Sequence, residues 1–284
     1  MSDYPCSEQD IHRLRRFIDE HPRLLVLTGA GCSTESGIPD YRDALGAWKR
    51  ALPVQYQDFM GSEQARKRYW SRSMLGFPLM DAARPNAAHR WLASLESAGR
   101  MELLVTQNVD GLHQLAGSRQ VVDLHGRIHQ VLCMSCGMRL ERGLLQQRLE
   151  SLNPGLRQLR AAIGPDGDAD LDDMELDGFR LPSCDVCGGT LKPDVVFFGE
   201  NVPRPRVDQT CAAIGRADAM LVLGSSLKVY SGFRFCREAA RLGVPMAAVN
   251  LGVTRADQSL RLKVSAPCAA VCAALAESGH HWAA

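Results

Sequence analysis

Two cysteine pairs with identical internal spacing constrain the fold of this chain more than any other feature. They are Cys133-x-x-Cys136 and Cys184-x-x-Cys187, separated by residues 137–183. A two-residue gap lets both thiolates of a pair reach one ion from a tight turn, and tetrahedral Zn²⁺ takes four such soft ligands. The four cysteines therefore predict a zinc ribbon. Its closed sulfur shell leaves no position for water, so we expect one structural zinc ion and chemistry located elsewhere.

The segment between the two pairs is longer than the common ribbon spacing of about 15–20 residues, which indicates an insertion. The alternatives to a zinc site are accidental spacing and a redox dithiol. Either could explain one such cysteine pair more easily than two. Inside the segment, residues 166–177 begin like a calcium-binding loop, but Leu171 stands where that loop requires glycine, so we expect a solvated acidic loop. The other cysteines, Cys32 among them, show no ligand spacing, and most are expected to be small core residues.

The overall composition argues against a nucleic-acid or membrane partner. Charged residues make up 23% and hydrophobic residues 45% of the chain, and the formal net charge is +1. These values are ordinary for a soluble globular protein and give no overall attraction to polyanions. No stretch of about 18 apolar residues occurs, and residues 1–10 lack the apolar core of an export signal. Together with the reduced cysteine pairs, these features predict a cytoplasmic protein.

Short apolar runs alternate with helical patterns along the rest of the chain. Each run ends in a polar or glycine-bearing turn. Strands that alternate with helices predict a Rossmann-like α/β fold, in which a parallel sheet carries helices on both faces. Ligands in such folds bind beyond the carboxyl ends of the strands, so the turns are expected to form one crevice. The predicted strands are 23–28, 103–106, 219–223 and 246–250, and the predicted helices are 11–20, 87–97, 207–215, 231–241 and 267–277.

Two segments interrupt this alternation. Residues 44–85 carry helical patterns without a clear strand, and residues 128–192 contain the cysteine pairs. We expect both to form one smaller domain beside the sheet, made of a helical module and a zinc-ribbon module. The larger, nucleotide-binding domain then comprises residues 1–43, 86–127 and 193–284.

A glycine turn, Gly29-Ala30-Gly31, directly follows the first predicted strand. Glycines at this place permit a tight turn and let backbone N–H groups approach a pyrophosphate. The third glycine of the dinucleotide-binding fingerprint falls on Thr34, and the acidic residue expected about 20 positions further on is missing. These departures argue against an ordinary hydride-transfer dehydrogenase.

The longer string from Gly29 to Arg42, GAGCSTESGIPDYR, resembles the signature of the sirtuin family. The amino-acid sequences of this string and of residues 68–72 and 165–168 are similar to those of class II sirtuins. The resemblance extends over roughly residues 8–275. Further motifs follow in the family's order, with the cysteine pairs between the second and the third: 106–110 (TQNVD), 124–126 (LHG), 192–200 (KPDVVFFGE), and 224–226 (GSS) together with 250–252 (NLG).

The resemblance implies an enzyme that consumes NAD to remove an acyl group from lysine side chains of proteins. Its products are nicotinamide, O-acyl-ADP-ribose and free lysine, and its partners are acyl-lysine proteins. The acyl group stays open between acetyl and longer, bulkier or acidic groups. Two other functions stay open as well: a protein mono-ADP-ribosyltransferase that uses the same NAD site, and a zinc-ribbon interaction module that senses NAD or ADP-ribose.

The resemblance also assigns three catalytic residues. His125 is the expected general base, because an imidazole can take a proton from a ribose hydroxyl at neutral pH. A histidine with a purely structural role is the alternative, and the Leu-His-Gly context disfavours it. Asn108 and Asp110 are expected to hold the carboxamide and ribose of the nicotinamide half, since a carboxamide needs both a donor and an acceptor.

The remaining expected contacts divide between NAD and a substrate peptide. Residues 195–198 are expected to offer an extended edge that pairs with the main chain of the peptide; a buried strand is the alternative for this apolar run. These four residues are Val195, Val196, Phe197 and Phe198. The further NAD contacts that the resemblance implies are Gly29, Ala30, Gly31, Thr34, Asp40, Tyr41, Arg42, Gln107, Val109, Gly224, Ser225, Ser226, Asn250, Leu251, Gly252 and Cys268.

Overall fold

The computed structural model describes residues 6–40, 43, 53–156 and 178–277. Strands and helices alternate through most of this part of the chain. The strands are β1 (Leu24–Thr28), β2 (Met101–Thr106), β3 (Val121–Asp123), β4 (Gly126–Cys133), β5 (Arg139–Glu141), β6 (Leu191–Val195), β7 (Ala219–Leu223), β8 (Met246–Val249) and β9 (Leu262–Val264). The α-helices are α1 (Glu8–Glu20), α2 (Tyr56–Gly61), α3 (Glu63–Ala82), α4 (Ala87–Ser97), α5 (Leu112–Leu115), α6 (Arg142–Leu152), α7 (Arg204–Ile214), α8 (Tyr230–Arg241) and α9 (Cys268–Glu277).

A six-stranded parallel sheet in the order β3-β2-β1-β7-β8-β9 forms the larger part of the fold. β1 and β7 are wholly buried at its centre. A strand covered on both faces must be apolar throughout, which is why both sequences are continuous apolar runs. The chain continues from β1 to β2 on one side and from β7 to β8 on the other. This reversal of strand order opens a crevice at the carboxyl ends of β1 and β7.

Helices cover both faces of the sheet and confirm the predicted Rossmann-like architecture. α1, α4 and α9 pack on one face, where Phe17 and Leu92 belong to the buried core. α7 and α8 pack on the other face, where Ile214 and Phe235 are buried. The two helix layers therefore fix the central strands from both sides and hold the crevice in place.

The two predicted insertions share one apolar core. β4 pairs antiparallel with β5 and β6, and the core beside this small sheet contains residues of α2, α3 and α6. Phe59, Trp70 and Leu149 are buried there. The indole Nε1 of Trp70 donates to the carbonyl oxygen of Leu191 in β6 at 3.2 Å, which joins the helical segment to the cysteine-bearing sheet. β4 begins at Gly126, ahead of the predicted boundary at 128.

The sequence does not predict the short strands β3, β5 and β9, each three residues long. Three residues give neither an apolar run nor a measurable alternation, and such strands form because a neighbouring strand supplies their hydrogen bonds. The acidic loop at 166–177 lies outside the described residues. Among the helices that the structure describes, none is long and apolar enough to cross a bilayer.

Candidate active site

A cavity of about 370 Å³ lies at the carboxyl ends of the central strands. Its wall combines the turns that follow β1, β2, β7 and β8 with the segment that follows β6, so both sheets contribute to it. The converging turns predicted from the sequence therefore surround one space. The cavity brings together these residues expected to form the site: Gly29, Ala30, Gly31, Asp40, Gln107, Asn108, Val109, Asp110, His125, Val195, Val196, Phe197, Phe198, Gly224, Ser225, Ser226, Asn250 and Leu251.

Among the described residues, three that are expected to contact NAD are not part of this lining. Thr34 is exposed, and its Oγ1 donates to the carbonyl of Gly31 at 3.3 Å. Cys268 is 3% exposed and its Sγ donates to the carbonyl of Val249 at 3.5 Å. Gly252 follows Leu251 in the β8 turn, outside the cavity wall. Their contacts with NAD stay predictions, as do those of Tyr41 and Arg42, which lie outside the described residues.

The glycine turn after β1 packs directly against the turn after β7. The N–H of Gly31 donates to the carbonyl of Gly224 at 2.9 Å. A Cβ on Gly29 would lie 2.8 Å from the oxygen of Gly224, and a Cβ on Gly224, whose φ is 63°, would lie 2.2 Å from the nitrogen of Cys32. These glycines are thus required by the contact between the two turns as well as by any phosphate. The result is a cavity floor made of main chain.

His125 presents a basic nitrogen to the cavity. Its Nδ1 lies 2.9 Å from the carbonyl oxygen of Gln107, and because a carbonyl only accepts, Nδ1 carries the proton. Its Nε2 therefore accepts from the hydroxyl of Ser231 at 2.8 Å. Burial lowers the pKa of His125 to about 4, and the bond to Gln107 offsets part of this decrease. The imidazole is accordingly neutral at physiological pH, with its lone pair on Nε2.

A network centred on Ser33 fixes the two other expected catalytic side chains. Asn108 Nδ2 donates to the carbonyl of Gly29 and to Ser33 Oγ, each at 3.0 Å. Ser33 Oγ in turn donates to Asp110 Oδ2 at 2.7 Å, while Asp110 Oδ1 accepts from the N–H of Leu112 at 2.9 Å. Burial raises the pKa of Asp110, which is 3% exposed. The amide and the carboxyl are therefore held rigidly at one end of the cavity.

The segment expected to bind a peptide is anchored to both parts of the molecule. The N–H of Val196 donates to the carbonyl of His125, and the N–H of Tyr56 donates to the carbonyl of Phe198, each at 2.8 Å. An ion pair between Nζ of the buried Lys192 and Oε2 of the half-buried Glu200, 3.0 Å apart, closes the turn. The side chain of Phe197 is 8% exposed and belongs to the core beside the small sheet, although the residue lies beyond β6, which ends at Val195. The peptide contacts of residues 195–198 stay a prediction.

The four ribbon cysteines converge on one point. Cys133 Sγ is 3.5 Å from Cys187 Sγ, and Cys136 Sγ is 3.8 Å from Cys184 Sγ. A tetrahedron of sulfurs with Zn–S bonds of about 2.3 Å has edges of about 3.8 Å, so the spacing fits zinc. Hydrogen bonds from backbone N–H groups, that of Cys136 foremost, lower the pKa of the Cys133 thiol to about 6 and favour the thiolate that a metal needs.

Several cavity residues escape sequence reasoning. Ser33 and Ser231 contact expected catalytic residues that are 77 and 106 positions away in the chain, and no local pattern reveals such pairs. Lys228 and Arg234 add positive charge to the wall. Leu227 has a φ of 57°, which lies in the left-handed region. This backbone conformation costs a residue that carries a Cβ about 1–3 kcal/mol. Leu227 directly follows Ser225 and Ser226 in the cavity wall.

Comparison with protein families matches the model of the Sir2 family to residues 29–231. The NAD-dependent protein deacetylase of Xanthomonas axonopodis pv. citri is 58% identical over 271 residues, which are 95% of this chain and 92% of that protein. The protein of the same description from Bordetella bronchiseptica is 58% identical over 91% of this chain and 94% of its own length. The NAD-dependent protein deacylase Sirt4 of Drosophila melanogaster is 48% identical over 93% of this chain and 86% of its own length.

Solved structures with the same architecture include two Sir2 complexes. One, described as Sir2 with a p53 peptide and NAD⁺, matches with a TM-score of 0.75 and 30% identity, covering 95% of this chain and 98% of that one. The other, described as Sir2 bound to an acetylated peptide, matches with a TM-score of 0.73 and 31% identity over the same shares of the two chains. The similarity therefore extends over both sheets and the cavity between them.

Proposed function

Because the chain belongs to the Sir2 family and is an NAD-dependent protein deacylase, we propose that its cavity binds NAD together with an acyl-lysine side chain, with His125 as the general base. The observation that carries this assignment of the site is the neutral imidazole of His125, a residue of the cavity wall whose Nε2 accepts a hydrogen bond from another wall residue, Ser231. A module that only senses NAD needs no base at this position. The polar groups of Asn108 and Asp110 on the same wall support the nicotinamide end of the site.

The residues present suit the parts of NAD. Bound NAD supplies the nicotinamide leaving group and the ADP-ribose to which the acyl group is transferred. Asn108 and Asp110 would hold the carboxamide and the adjoining ribose, and Ser33 keeps both in place. His125 would take a proton from a ribose hydroxyl at Nε2, since its Nδ1 is occupied by the carbonyl of Gln107. Nicotinamide, O-acyl-ADP-ribose and free lysine are the resulting products.

The opposite end of the cavity suits phosphate and adenosine. The backbone N–H of Ala30 and the hydroxyl of Ser226 would contact the pyrophosphate. Gly29 and Gly31, whose own N–H groups donate to the carbonyls of Leu223 and Gly224, would let it approach the main chain closely. Ser225 Oγ accepts from Gln107 Nε2 at 2.8 Å and fixes this side chain, which would lie beside the ribose. Asn250 would bind the adenosine ribose. Thr34, Tyr41, Arg42, Gly252 and Cys268 complete the proposed contacts.

The substrate and the compartment follow from the same site. An acyl-lysine peptide would lie along residues 195–198, which are held between His125 and Tyr56. Main-chain pairing of this kind binds proteins with little sequence preference. The four ribbon thiols must stay reduced to bind zinc, which supports a reducing compartment such as the cytoplasm. Zinc in the ribbon would stabilise the small sheet and would take no part in the reaction.

A panel of one peptide that carries acetyl, longer or acidic groups on the same lysine tests this function. We expect nicotinamide release that requires the acyl-lysine, in equal amount to deacylated peptide and O-acyl-ADP-ribose, for at least one acyl group. Mass spectrometry of peptide and enzyme supplies the control. An ADP-ribose adduct without deacylated peptide would instead identify a mono-ADP-ribosyltransferase, and NAD binding without nicotinamide release would identify a sensor.

Ser231 is proposed to position the base. Its hydroxyl donates to Nε2 of His125 and so favours the neutral ring. Ser231→Ala is expected to lower kcat/KM for NAD about two- to tenfold, the effect of one neutral hydrogen bond. The same variant should shift the acid limb of the pH profile of kcat/KM to higher pH. Without the Ser231 hydroxyl the neutral ring loses a hydrogen bond, so the pKa of His125 should rise. Ser231→Thr keeps the hydroxyl and should retain the wild-type limb; an unshifted limb in Ser231→Ala would contradict the positioning role.

A further inference from the structure

Cys32, His89 and His113 form a buried cluster behind the cavity that the proposed reaction does not use. One possible ligand atom from each lies within 4.8 Å of the other two. The three residues are 1%, 0% and 1% exposed. They come from three separate elements, the turn after β1, the first turn of α4, and α5, so their spacing in the sequence gives no indication of a site.

Both histidine rings are held by one nitrogen, and their other nitrogens lack a strong partner. His113 Nε2 lies 2.9 Å from Thr28 Oγ1, while its Nδ1 is buried without any hydrogen-bond partner. His89 Nδ1 lies 3.0 Å from Asn86 Oδ1 and 3.3 Å from the backbone nitrogen of the same residue, and its Nε2 makes only a 3.4 Å contact with Ser33 Oγ. A ring anchored at one nitrogen with the other left for an ion is the arrangement of metal-bound histidine.

We propose that Cys32 Sγ, His89 Nε2 and His113 Nδ1 form a second metal site for a divalent cation of the zinc class. One thiolate and two imidazoles are donors that Zn²⁺ prefers, and three protein ligands leave a fourth position open. Binding would release the thiol proton of Cys32 to solvent. A cysteine–histidine pair on tetrahedral zinc is about 3.6 Å apart, so the observed separations require side-chain shifts on the order of 1 Å.

The charges around the cluster suit a cation. Asp110 is linked to it through Ser33, whose Oγ donates to the Asp110 carboxylate at 2.7 Å and also contacts His89. The Cys32 thiolate and the Asp110 carboxylate together balance the two positive charges of the ion. Buried ions are tolerated when they are balanced in this way. The site is distinct from the ribbon, which belongs to the small sheet.

Titration with Co²⁺ tests the site, because this ion takes zinc positions and reports thiolate ligation through its absorption. Protein with its ribbon filled by zinc is expected to bind one further equivalent of Co²⁺, with a thiolate charge-transfer band and the strong d–d bands of a four-coordinate ion. Cys32→Ala and His113→Gln should each lose this equivalent. Cys211→Ala is the matched control, since Cys211 lies on α7 outside both clusters, and it should retain it.

The amount of zinc released during the titration is measured as well, because Co²⁺ that replaces zinc in the ribbon releases one zinc ion for each cobalt ion bound, whereas binding at the second site releases none. Bands that grow only in step with released zinc, or that persist unchanged in Cys32→Ala, would overturn the proposal. So would wild-type protein that binds no Co²⁺ beyond the ribbon, a result that needs no variant to fold. These readouts use neither NAD nor acyl peptide, so they stand or fall separately from the proposed function.

Discussion

His125→Tyr is expected to lower the formation of deacylated peptide from NAD and acyl-peptide by about 10²- to 10⁴-fold, the usual contribution of a general base. The structure gives the reason: Nε2 is the one ring nitrogen of His125 with a lone pair, and His125 belongs to the cavity wall. A phenol at this position stays protonated at neutral pH and cannot take the proton. Product is measured by mass spectrometry under saturating NAD and peptide.

Two further variants make the result specific to the base. His125→Ala removes the ring without adding bulk and should lose activity to a similar extent. His129→Gln changes the histidine of β4, which lies outside the cavity wall and pairs with Asp81 at 3.4 Å, and this variant should remain active. Circular dichroism and zinc content of all three variants should match the wild type. Wild-type turnover in His125→Ala would show that another group takes the proton and would sink the assignment of this site.

The parts of the fold that the sequence predicts are those in which a single constraint determines the residue type. β1 and β7 are buried on both faces, so their apolar runs identify them without knowledge of their neighbours. α4 begins where Asn86 caps it, with its side chain accepting from the N–H groups of Ala88 and His89. Both signals are local. The edge strands β3 and β9 carry no such signal, because only pairing with β2 and β8 makes them strands.

The candidate site divides in the same way. Gly29 and His125 belong to sequence motifs that identify them as site residues without knowledge of distant parts of the chain. In the structure both residues line one cavity. Ser231 and Ser33 act through side-chain contacts that form only when distant turns meet, and serine is common in any turn. The cluster of Cys32 with its two histidines is equally invisible along the chain, since β1, α4 and α5 bring it together. The sequence gives the residue types, but it does not show which distant residues come into contact.

The zinc ribbon determines whether the small sheet stays folded, and Cys187→Ala is the variant that tests this most directly. Cys187 is exposed, so its replacement removes a ligand without leaving a cavity in the core. Structural zinc contributes about 10–16 kcal/mol in zinc-finger peptides, far more than one side chain. We expect the variant to lose its ribbon zinc and the hydrogen-exchange protection of β4 and β6, while β1 and β7 remain protected.

Activity should fall with the small sheet, although no ribbon cysteine lines the cavity. β4 carries the chain directly from His125, and β6 leads into residues 195–198, so both the base and the peptide edge depend on the pairing of these two strands. A displacement of about 1 Å at a catalytic group can cost 10²-fold in rate, and we expect at least this loss in Cys187→Ala. Cys211→Ala, which leaves both metal clusters intact, should keep full activity and exchange protection. Retained protection of β4 and β6 in a zinc-free variant would mean that the apolar core around Trp70 holds the small sheet without the metal.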